Sequence, residues 1–179
     1  MTAGPDLRGG ILEALPHLRV FAISLTGDLD RADDLVQEAI VKALGHLGQF
    51  TPGTNLRAWL FTILRNEFYT LHRKRRREVQ DPDGLLAARL AAAPVQDRHL
   101  DLEDLKAALL WLPVEQREAV LLVAGGISYE ETAQICGAAV GTIKSRVNRG
   151  RKSLAELLGI VDPEDIGADC VMKASLPRE

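Results

Sequence analysis

The side chains with the clearest chemical capacity lie between residues 140 and 154. At about 100° per residue, a helix over this stretch has one apolar side, formed by Val140, Ile143, Val147 and Leu154. The opposite side carries hydroxyl, amide and cationic groups, namely those of Ser145, Asn148, Arg149 and Lys152. Such groups donate hydrogen bonds to phosphates and base edges in the major groove of DNA. A solvated amphipathic helix would show the same charge pattern, so this stretch alone leaves both interpretations open.

The residues before this helix indicate how it is held. Ser128 and Glu131 have the spacing of a capping box, which predicts a helix from Tyr129. Gly137 follows Cys136 and can adopt the left-handed conformation that a sharp turn requires. Two short helices joined by a tight turn, with the second apolar behind and cationic in front, favour a DNA-reading helix-turn-helix.

A long helix is predicted earlier in the chain, from Asn55, which can cap it, to about Arg77. The side away from its apolar stripe interleaves rings with cations: Phe61, Thr62, Arg65, Tyr69 and Arg73, with Trp59, Asn66 and His72 at the edges. Rings stack on unpaired bases and guanidinium groups follow phosphates, as single-stranded nucleic acid requires. The same rings could instead cover a neighbouring helix. Glu67 falls inside the apolar stripe, where the pattern offers no role for it.

An acidic block opens the helix before that one. Asp30 is its predicted cap, and the helix is expected to end at Gly48. The block consists of Asp28, Asp30, Asp33, Asp34 and Glu38. Acidic side chains near a helix N-terminus interact favourably with the helix dipole, and that is a sufficient explanation by itself. A docking face for a large partner is the alternative.

The elements that position these side chains are all predicted to be helical. The chain has 179 residues, of which 46% are hydrophobic, and it shows no strand alternation. We therefore expect an all-α protein with two small helical domains, at residues 1–80 and 100–160. A linker at 81–99 would join them, and a tail would follow at 161–179.

Composition limits the classes of protein that fit. The net charge is −3, yet basic residues concentrate at 72–77 and after Gly141, so the chain is polarised. Cys136 and Cys170 are expected to be free thiols in a reducing compartment. Two separated cysteines and scattered histidines predict no zinc site. No apolar run reaches the length of a membrane span.

The motifs together resemble a bacterial sigma factor of the extracytoplasmic-function group. Residues 34–44, DLVQEAIVKAL, look like the core-polymerase-binding helix of sigma region 2. Residues 55–66, NLRAWLFTILRN, look like the part of region 2 that opens and reads the −10 element. Residues 128–131, SYEE, and 140–146, VGTIKSR, look like region 4, which reads the −35 element. The resemblance extends over roughly residues 11 to 160 and implies a region 2-like bundle followed by a region 4-like module.

The resemblance implies roles for particular residues. Core polymerase would be bound by Asp33, Asp34, Gln37, Glu38 and Val41. The −10 element would be bound and melted by Asn55, Trp59, Phe61, Thr62, Arg65, Asn66, Tyr69 and Arg73, with residues 48–54 as a wall for a flipped-out base. The −35 element would be contacted by Thr142, Lys144, Ser145, Arg146, Asn148, Arg149 and Lys152.

Three further segments resemble the EcfG-type subgroup, which directs the general stress response. They are residues 62–66, residues 73–79 and the pair Cys136-Gly137. This likeness implies a cytoplasmic protein without a cofactor, bound to core RNA polymerase and promoter DNA but not to a membrane. It also implies control by a small NepR-like anti-sigma protein, which a response regulator draws away.

Three other classes compete with this interpretation. An enzyme is disfavoured because no nucleophile, base and orienting group share one motif and no glycine-rich phosphate loop occurs. A sigma mimic that only sequesters an anti-sigma protein would not need the aromatic–basic side or the outward Ser145, Asn148 and Arg149. A helix-turn-helix repressor would bind its operator alone, whereas a sigma factor normally needs core polymerase.

Overall fold

The computed structural model describes residues 7–78 and 102–160, and every long element within them is an α-helix. The predicted linker at 81–99 and the tail at 161–179 lie outside those residues. The helices are α1 Leu7–Thr26, α2 Leu29–Gly45, α3 Leu56–Glu78, α4 Leu102–Trp111, α5 Val114–Ala124, α6 Tyr129–Cys136 and α7 Val140–Leu158, with a 3₁₀ turn at Leu47–Gln49. The expected all-helical class is confirmed for this part of the chain.

The N-terminal module consists of α1, α2 and α3 packed around one apolar core. Phe21 of α1, Leu35 of α2 and Leu64 of α3 are each at most 2% exposed. The structure explains Glu67, which is buried in the stripe that α3 turns towards α2. Its carboxylate forms an ion pair with the ammonium group of Lys42. A buried carboxylate requires such a partner, so Glu67 fixes how α3 lies on α2.

Helix α2 begins and ends earlier than the sequence predicted. The prediction that Asp30 caps it is wrong, because Asp28 is the cap and accepts a hydrogen bond from the Arg31 amide at 2.9 Å. Gly27, with a φ of 67°, reverses the chain just before and leaves Asp28 as the last extended residue. The helix ends at Gly45 rather than Gly48, since the 3₁₀ turn follows immediately.

The C-terminal module consists of α4 to α7, and its turn chemistry follows the prediction. Ser128 and Glu131 form the complete capping box of α6. Gly137 ends that helix in the left-handed conformation, with a φ of 62°. Ile143, Val147 and Leu154 are fully buried, whereas Val140 is only half-buried. The helix-turn-helix is therefore packed as its sequence pattern indicated.

At Gly150, α7 packs closely against α5. This glycine is buried, and a Cβ placed on it would lie 2.6 Å from Cγ2 of Val120. Only a glycine, which has no Cβ atom, lets α5 and α7 pack at this separation. The helix-propensity cost of a glycine inside α7, about 1 kcal/mol, is thus offset by packing.

The two modules pack directly against each other. Helix α1 touches α4 and α5, and α3 touches α6. The guanidinium group of Arg117 in α5 is buried at this junction. It donates to the carbonyl of Ser24 at the end of α1, and also to the carbonyls of Leu110 and Leu112, both at 2.9 Å.

Alanine substitutions at two glycines of α7 should have opposite effects. Gly150→Ala forces a methyl group against buried Val120, and overpacking of this kind costs about 1–3 kcal/mol. Gly141→Ala meets no atom within 4 Å and should stabilise the helix by up to about 1 kcal/mol. Urea unfolding of both variants and the parent chain measures their free energies of unfolding. Equal stability of the two variants would contradict the close packing at Gly150.

Candidate nucleic-acid interface

The outward side of α7 is the first part of the interface. Six of the seven residues expected to contact the −35 element are exposed: Thr142, Lys144, Ser145, Asn148, Arg149 and Lys152. The seventh, Arg146, is half-buried. The Ser145 hydroxyl donates to the carbonyl of Gly141 at 3.0 Å, and the Lys144 ammonium lies 5.9 Å from the centre of the Tyr129 ring. From Val140 to Leu154 this helix carries no acidic residue, so its outward side is cationic and polar.

Helix α3 is the second part, and its predicted −10 residues differ widely in exposure. Asn55, Asn66 and Arg73 are exposed, whereas Trp59, Thr62, Arg65 and Tyr69 are half-buried. The side-chain oxygen of Asn55 accepts from the Ala58 amide at 3.2 Å, which confirms it as the cap of α3. The Thr62 hydroxyl donates a hydrogen bond to the carbonyl of Ala58 at 2.9 Å.

Phe61 departs from its expected place. The prediction that its ring is exposed for stacking on a base is wrong, since Phe61 is 1% exposed. Its ring packs edge-on against Phe21, with centroids 5.1 Å apart. A Cβ on Gly125 of the C-terminal module would lie 3.9 Å from its Cζ atom. Spacing within α3 could not indicate this burial, because α1 and the second module cover the ring from outside the helix.

Arg65 lies at the centre of the covered side of α3. Its Nε donates to Oε2 of Glu118 in α5 at 3.2 Å. Its guanidinium carbon also lies 4.6 Å from the centre of the Tyr69 ring. The Glu118 side chain is completely buried, and that of Arg65 is only 17% exposed. The ion pair therefore lies between the two modules and is largely shielded from solvent.

Burial at this point changes the acid–base behaviour of several groups. Burial raises the pKa of the Glu118 carboxyl, and the Arg65 charge opposes that rise. Burial, together with the nearby Glu118 charge, raises the pKa of Tyr69 to about 12. The Cys136 thiol lies close enough for burial and Glu118 to raise its pKa to about 11. Tyr69 and Cys136 are therefore protonated at neutral pH.

Sequence reasoning missed Glu118, Arg57 and Arg117. Hydrogen bonds from cationic side chains to the other module leave little trace in a helical pattern. Arg57 is an example, because its guanidinium group donates to the Gly125 carbonyl at 3.0 Å. A usable signal was nevertheless present in α5. Arg117 and Glu118 are adjacent charges followed directly by the buried run Ala119 to Leu122, where solvated side chains are not expected.

Trp59 is held by the loop that precedes α3. Phe50 of that loop is 8% exposed, and its ring lies 5.4 Å from the Trp59 ring. The remaining loop residues, 51–55, are exposed and turn at Gly53, which has a φ of 88°. The loop and the first turns of α3 thus form one continuous surface.

The outward side of α2 is acidic and partly apolar. Of the residues expected to bind core polymerase, Asp34, Gln37, Glu38 and Val41 are exposed. Asp33 is half-buried, and its carboxylate accepts two hydrogen bonds from Arg19, at 2.6 and 3.0 Å. The hydrogen bond from Arg19 lowers the pKa of Asp33. Asp33 is therefore already paired within the module, whereas no such partner is seen for Asp34 or Glu38 among the described contacts.

The described residues contain neither a cluster of metal-ligating side chains nor a membrane-spanning helix. Within residues 7–78 and 102–160, no group of three or more His, Cys, Asp or Glu side chains could hold a metal ion. In the same residues, no helix combines the length and apolarity needed to cross a membrane.

Comparison with known proteins gives a consistent result for both modules. Residues 11–78 match Sigma-70 region 2, and residues 102–154 match Sigma-70 region 4. The chain is 57% identical over 170 residues to the ECF RNA polymerase sigma factor EcfG of Rhodopseudomonas palustris, covering 94% of each chain. It is 34% identical over 149 residues to the ECF sigma factor SigC of Mycobacterium tuberculosis, covering 80% of this chain and 77% of that one.

A solved structure is similar over most of the chain. The sigma factor RpoE of Bartonella quintana, solved in complex with the anti-sigma factor NepR, is 53% identical. The superposition has a TM-score of 0.76 and covers 88% of this chain and 99% of that chain.

Proposed function

The chain belongs to the extracytoplasmic-function sigma factors, which bind core RNA polymerase and direct promoter-specific initiation, and we propose how its surfaces divide that task. The outward side of α2 binds core polymerase through Asp34, Gln37, Glu38 and Val41. The loop before α3 and the outer part of that helix engage the −10 element. The exposed side of α7 reads the −35 element. The protein acts by binding rather than by catalysis, and it acts in the cytoplasm.

One observation carries this proposal, namely the exposed polar and cationic side of α7. Six of seven candidate side chains are exposed there, on a helix whose opposite side is locked into the core by Ile143, Val147 and Leu154. A rigid helix that presents amide, hydroxyl and guanidinium donors fits the major groove and can discriminate base edges.

The −10 role is supported by the chemistry of α3. Tyr69 and Trp59 are half-buried rings, Arg65 lies over the Tyr69 ring, and Asn66 and Arg73 are exposed on the same helix. Rings beside cations and amides suit unpaired bases and their phosphates. Phe61 has no place in this group, because its ring is committed to the core.

The proposed control of this chain by another protein rests on its similarity to RpoE and EcfG. RpoE was solved with the anti-sigma factor NepR, and EcfG is the curated relative with 57% identity. We expect a small NepR-like protein to bind this chain, to cover surfaces needed for polymerase, and to control transcription of stress-response genes. The domain limits 1–80 and 100–160, with a linker between them, are part of the same proposal.

The decisive experiment is transcription in vitro with purified core polymerase on a randomised promoter library. Transcripts should require both core and this chain, and the selected promoters should share two short elements at −35 and −10. A chain that protects duplex DNA without core, and gives no transcripts with it, would instead be a repressor. A chain that does neither would leave only the sequestering role.

Two substitutions in α7 should separate base reading from phosphate contact. Arg149→Ala should lose about 1–3 kcal/mol of discrimination between matched and mutated −35 elements, if the contact is bidentate to guanine. Lys152→Ala should weaken binding to all promoters alike and reduce the salt dependence of that binding. Binding of holoenzyme to the two templates over a salt series measures both effects. Equal losses on both templates for Arg149→Ala would count against base reading.

Charge reversal on α2 should slow assembly with core polymerase. Glu38→Lys should lower the association rate by about tenfold, and more at low salt than at high salt, because charge complementarity is lost. Glu13→Lys on α1 is the matched control, since that glutamate is also exposed and its reversal changes the net charge identically. Surface plasmon resonance with immobilised core gives the rates. If both reversals slow binding to the same degree, the assignment of α2 is wrong.

Tyr69 should contribute to strand opening rather than to promoter recognition. Tyr69→Ala should weaken opening by about 1–3 kcal/mol, whereas Tyr69→Phe should retain stacking and behave like the parent. Permanganate footprinting on duplex promoter, and on a template with a pre-opened bubble, measures the effect. The bubble should restore activity to Tyr69→Ala. A defect that persists on the bubble, in a variant with parental circular dichroism, would indicate a packing role.

A further inference from the structure

Tyr129 is the first residue of α6, and the structure holds it from two sides. Ser128, the cap before it, accepts a hydrogen bond from the Glu131 amide at 3.1 Å, and the Glu131 carboxylate accepts one from the Ser128 amide, also at 3.1 Å. The Tyr129 ring is half-buried and packs against the apolar core. A backbone fixed by a complete capping box and a ring packed on the core leave this side chain little freedom to move.

Lys144 of α7 reaches over that ring. Its ammonium nitrogen lies 5.9 Å from the ring centre, within the distance at which the face of an aromatic ring attracts a cation. Lys144 is exposed, and among the described residues it forms no ion pair. An ammonium group carries three N–H donors, so the contact with the ring leaves donors for a second partner.

The position of Lys144 on α7 indicates what that second partner is. Val140, four residues before it, and Arg151, seven residues after it, share its stripe of the helix, and both are half-buried. Ser145 and Lys152, at the middle of the outward side, are exposed. Lys144 therefore lies at the rim of the side that would enter the groove, next to α6. Phosphates border the groove, so a cation at this rim is placed to contact a phosphate rather than a base edge.

We propose that Tyr129 is a positioning residue for binding of the −35 element, because its ring holds the Lys144 ammonium at the rim of α7, where that ammonium meets a DNA phosphate. The inference rests on the proposed −35 role of α7 and adds a residue of α6 to it. A lysine side chain that is already held loses less conformational freedom when it binds. The ring thus raises the affinity for the promoter without touching the DNA itself.

A double-mutant cycle on the holoenzyme tests this coupling. Tyr129→Leu removes the aromatic face but keeps an apolar side chain, and Lys144→Met removes the charge but keeps the length. Binding to a duplex promoter is measured over a salt series, at a temperature at which the strands stay paired. Lys144→Met should reduce the salt slope by about 0.9, as expected for the loss of one phosphate contact. Tyr129→Leu should weaken binding about two- to fivefold in the parent chain and have no effect in the Lys144→Met background.

Lys152→Met provides the matched control background, since it removes the same charge from an exposed position two turns further along α7. Tyr129→Leu should weaken binding by the same factor in that background as in the parent chain. An equal loss in the Lys144→Met background would indicate a structural role alone and would overturn the proposal. Parental affinity of Tyr129→Leu would overturn it as well.

A second series keeps the shape of the ring and does not depend on how well Tyr129→Leu folds. Tyr129→Phe retains the aromatic face and should bind like the parent. Phenylalanines with one, two and three ring fluorines at this position should weaken binding stepwise, because fluorine withdraws electron density from the face that attracts the cation. A loss already complete in Tyr129→Phe would assign the effect to the hydroxyl group instead. Equal affinity throughout the fluorinated series would refute the contact between ring and cation.

The same measurements separate this proposal from the assignment beneath it. If Lys144→Met and Arg149→Ala both bind the promoter like the parent, the −35 role of α7 fails. If Lys144→Met weakens binding but Tyr129→Leu has the same effect with and without it, only the positioning role of Tyr129 is refuted.

Discussion

The ion pair between Arg65 and Glu118 is the contact on which the arrangement of the two modules depends. It joins the middle of α3 to α5, and the charge of Glu118 also acts on the neighbouring Arg117. Arg117 and Arg57 add hydrogen bonds between the same two modules, and the buried ring of Phe61 packs beside Gly125. Separating the modules would expose or isolate a carboxylate that burial already disfavours. Arg65 thus belongs both to the contact between the modules and to the surface of α3 that is proposed for the −10 element.

Negative and positive charges of this chain are concentrated on different surfaces. The net charge is −3, which alone would disfavour DNA binding. Yet Asp34 and Glu38 lie on the outward side of α2, while α7 presents Lys144, Arg149 and Lys152. One surface therefore suits a basic partner, and another suits phosphates. This separation lets a small acidic protein bind polymerase and promoter at the same time.

Local rules made the C-terminal module predictable from its sequence. The Ser128–Glu131 capping box and the left-handed Gly137 depend on residues within a few positions of each other, and both are confirmed. The buried side of α7 follows from helical periodicity for the same reason. Phe61, Glu67 and Glu118 could not be placed in this way, since their partners Phe21, Lys42 and Arg65 lie far away in the sequence. Periodicity assigns a side of a helix but does not say how many neighbours cover it.

The most direct measurement of the central claim is the distance between the modules in solution. Spin labels at Thr70→Cys and Glu156→Cys, both exposed positions, would report it in a chain that also carries Cys136→Ala and Cys170→Ala. Double electron–electron resonance should give one narrow distance for the parent chain and a broader distribution for the same chain carrying Glu118→Gln. A broad distribution in the parent chain, or an equally narrow one with Glu118→Gln, would contradict a packing of the modules that depends on the ion pair between Arg65 and Glu118.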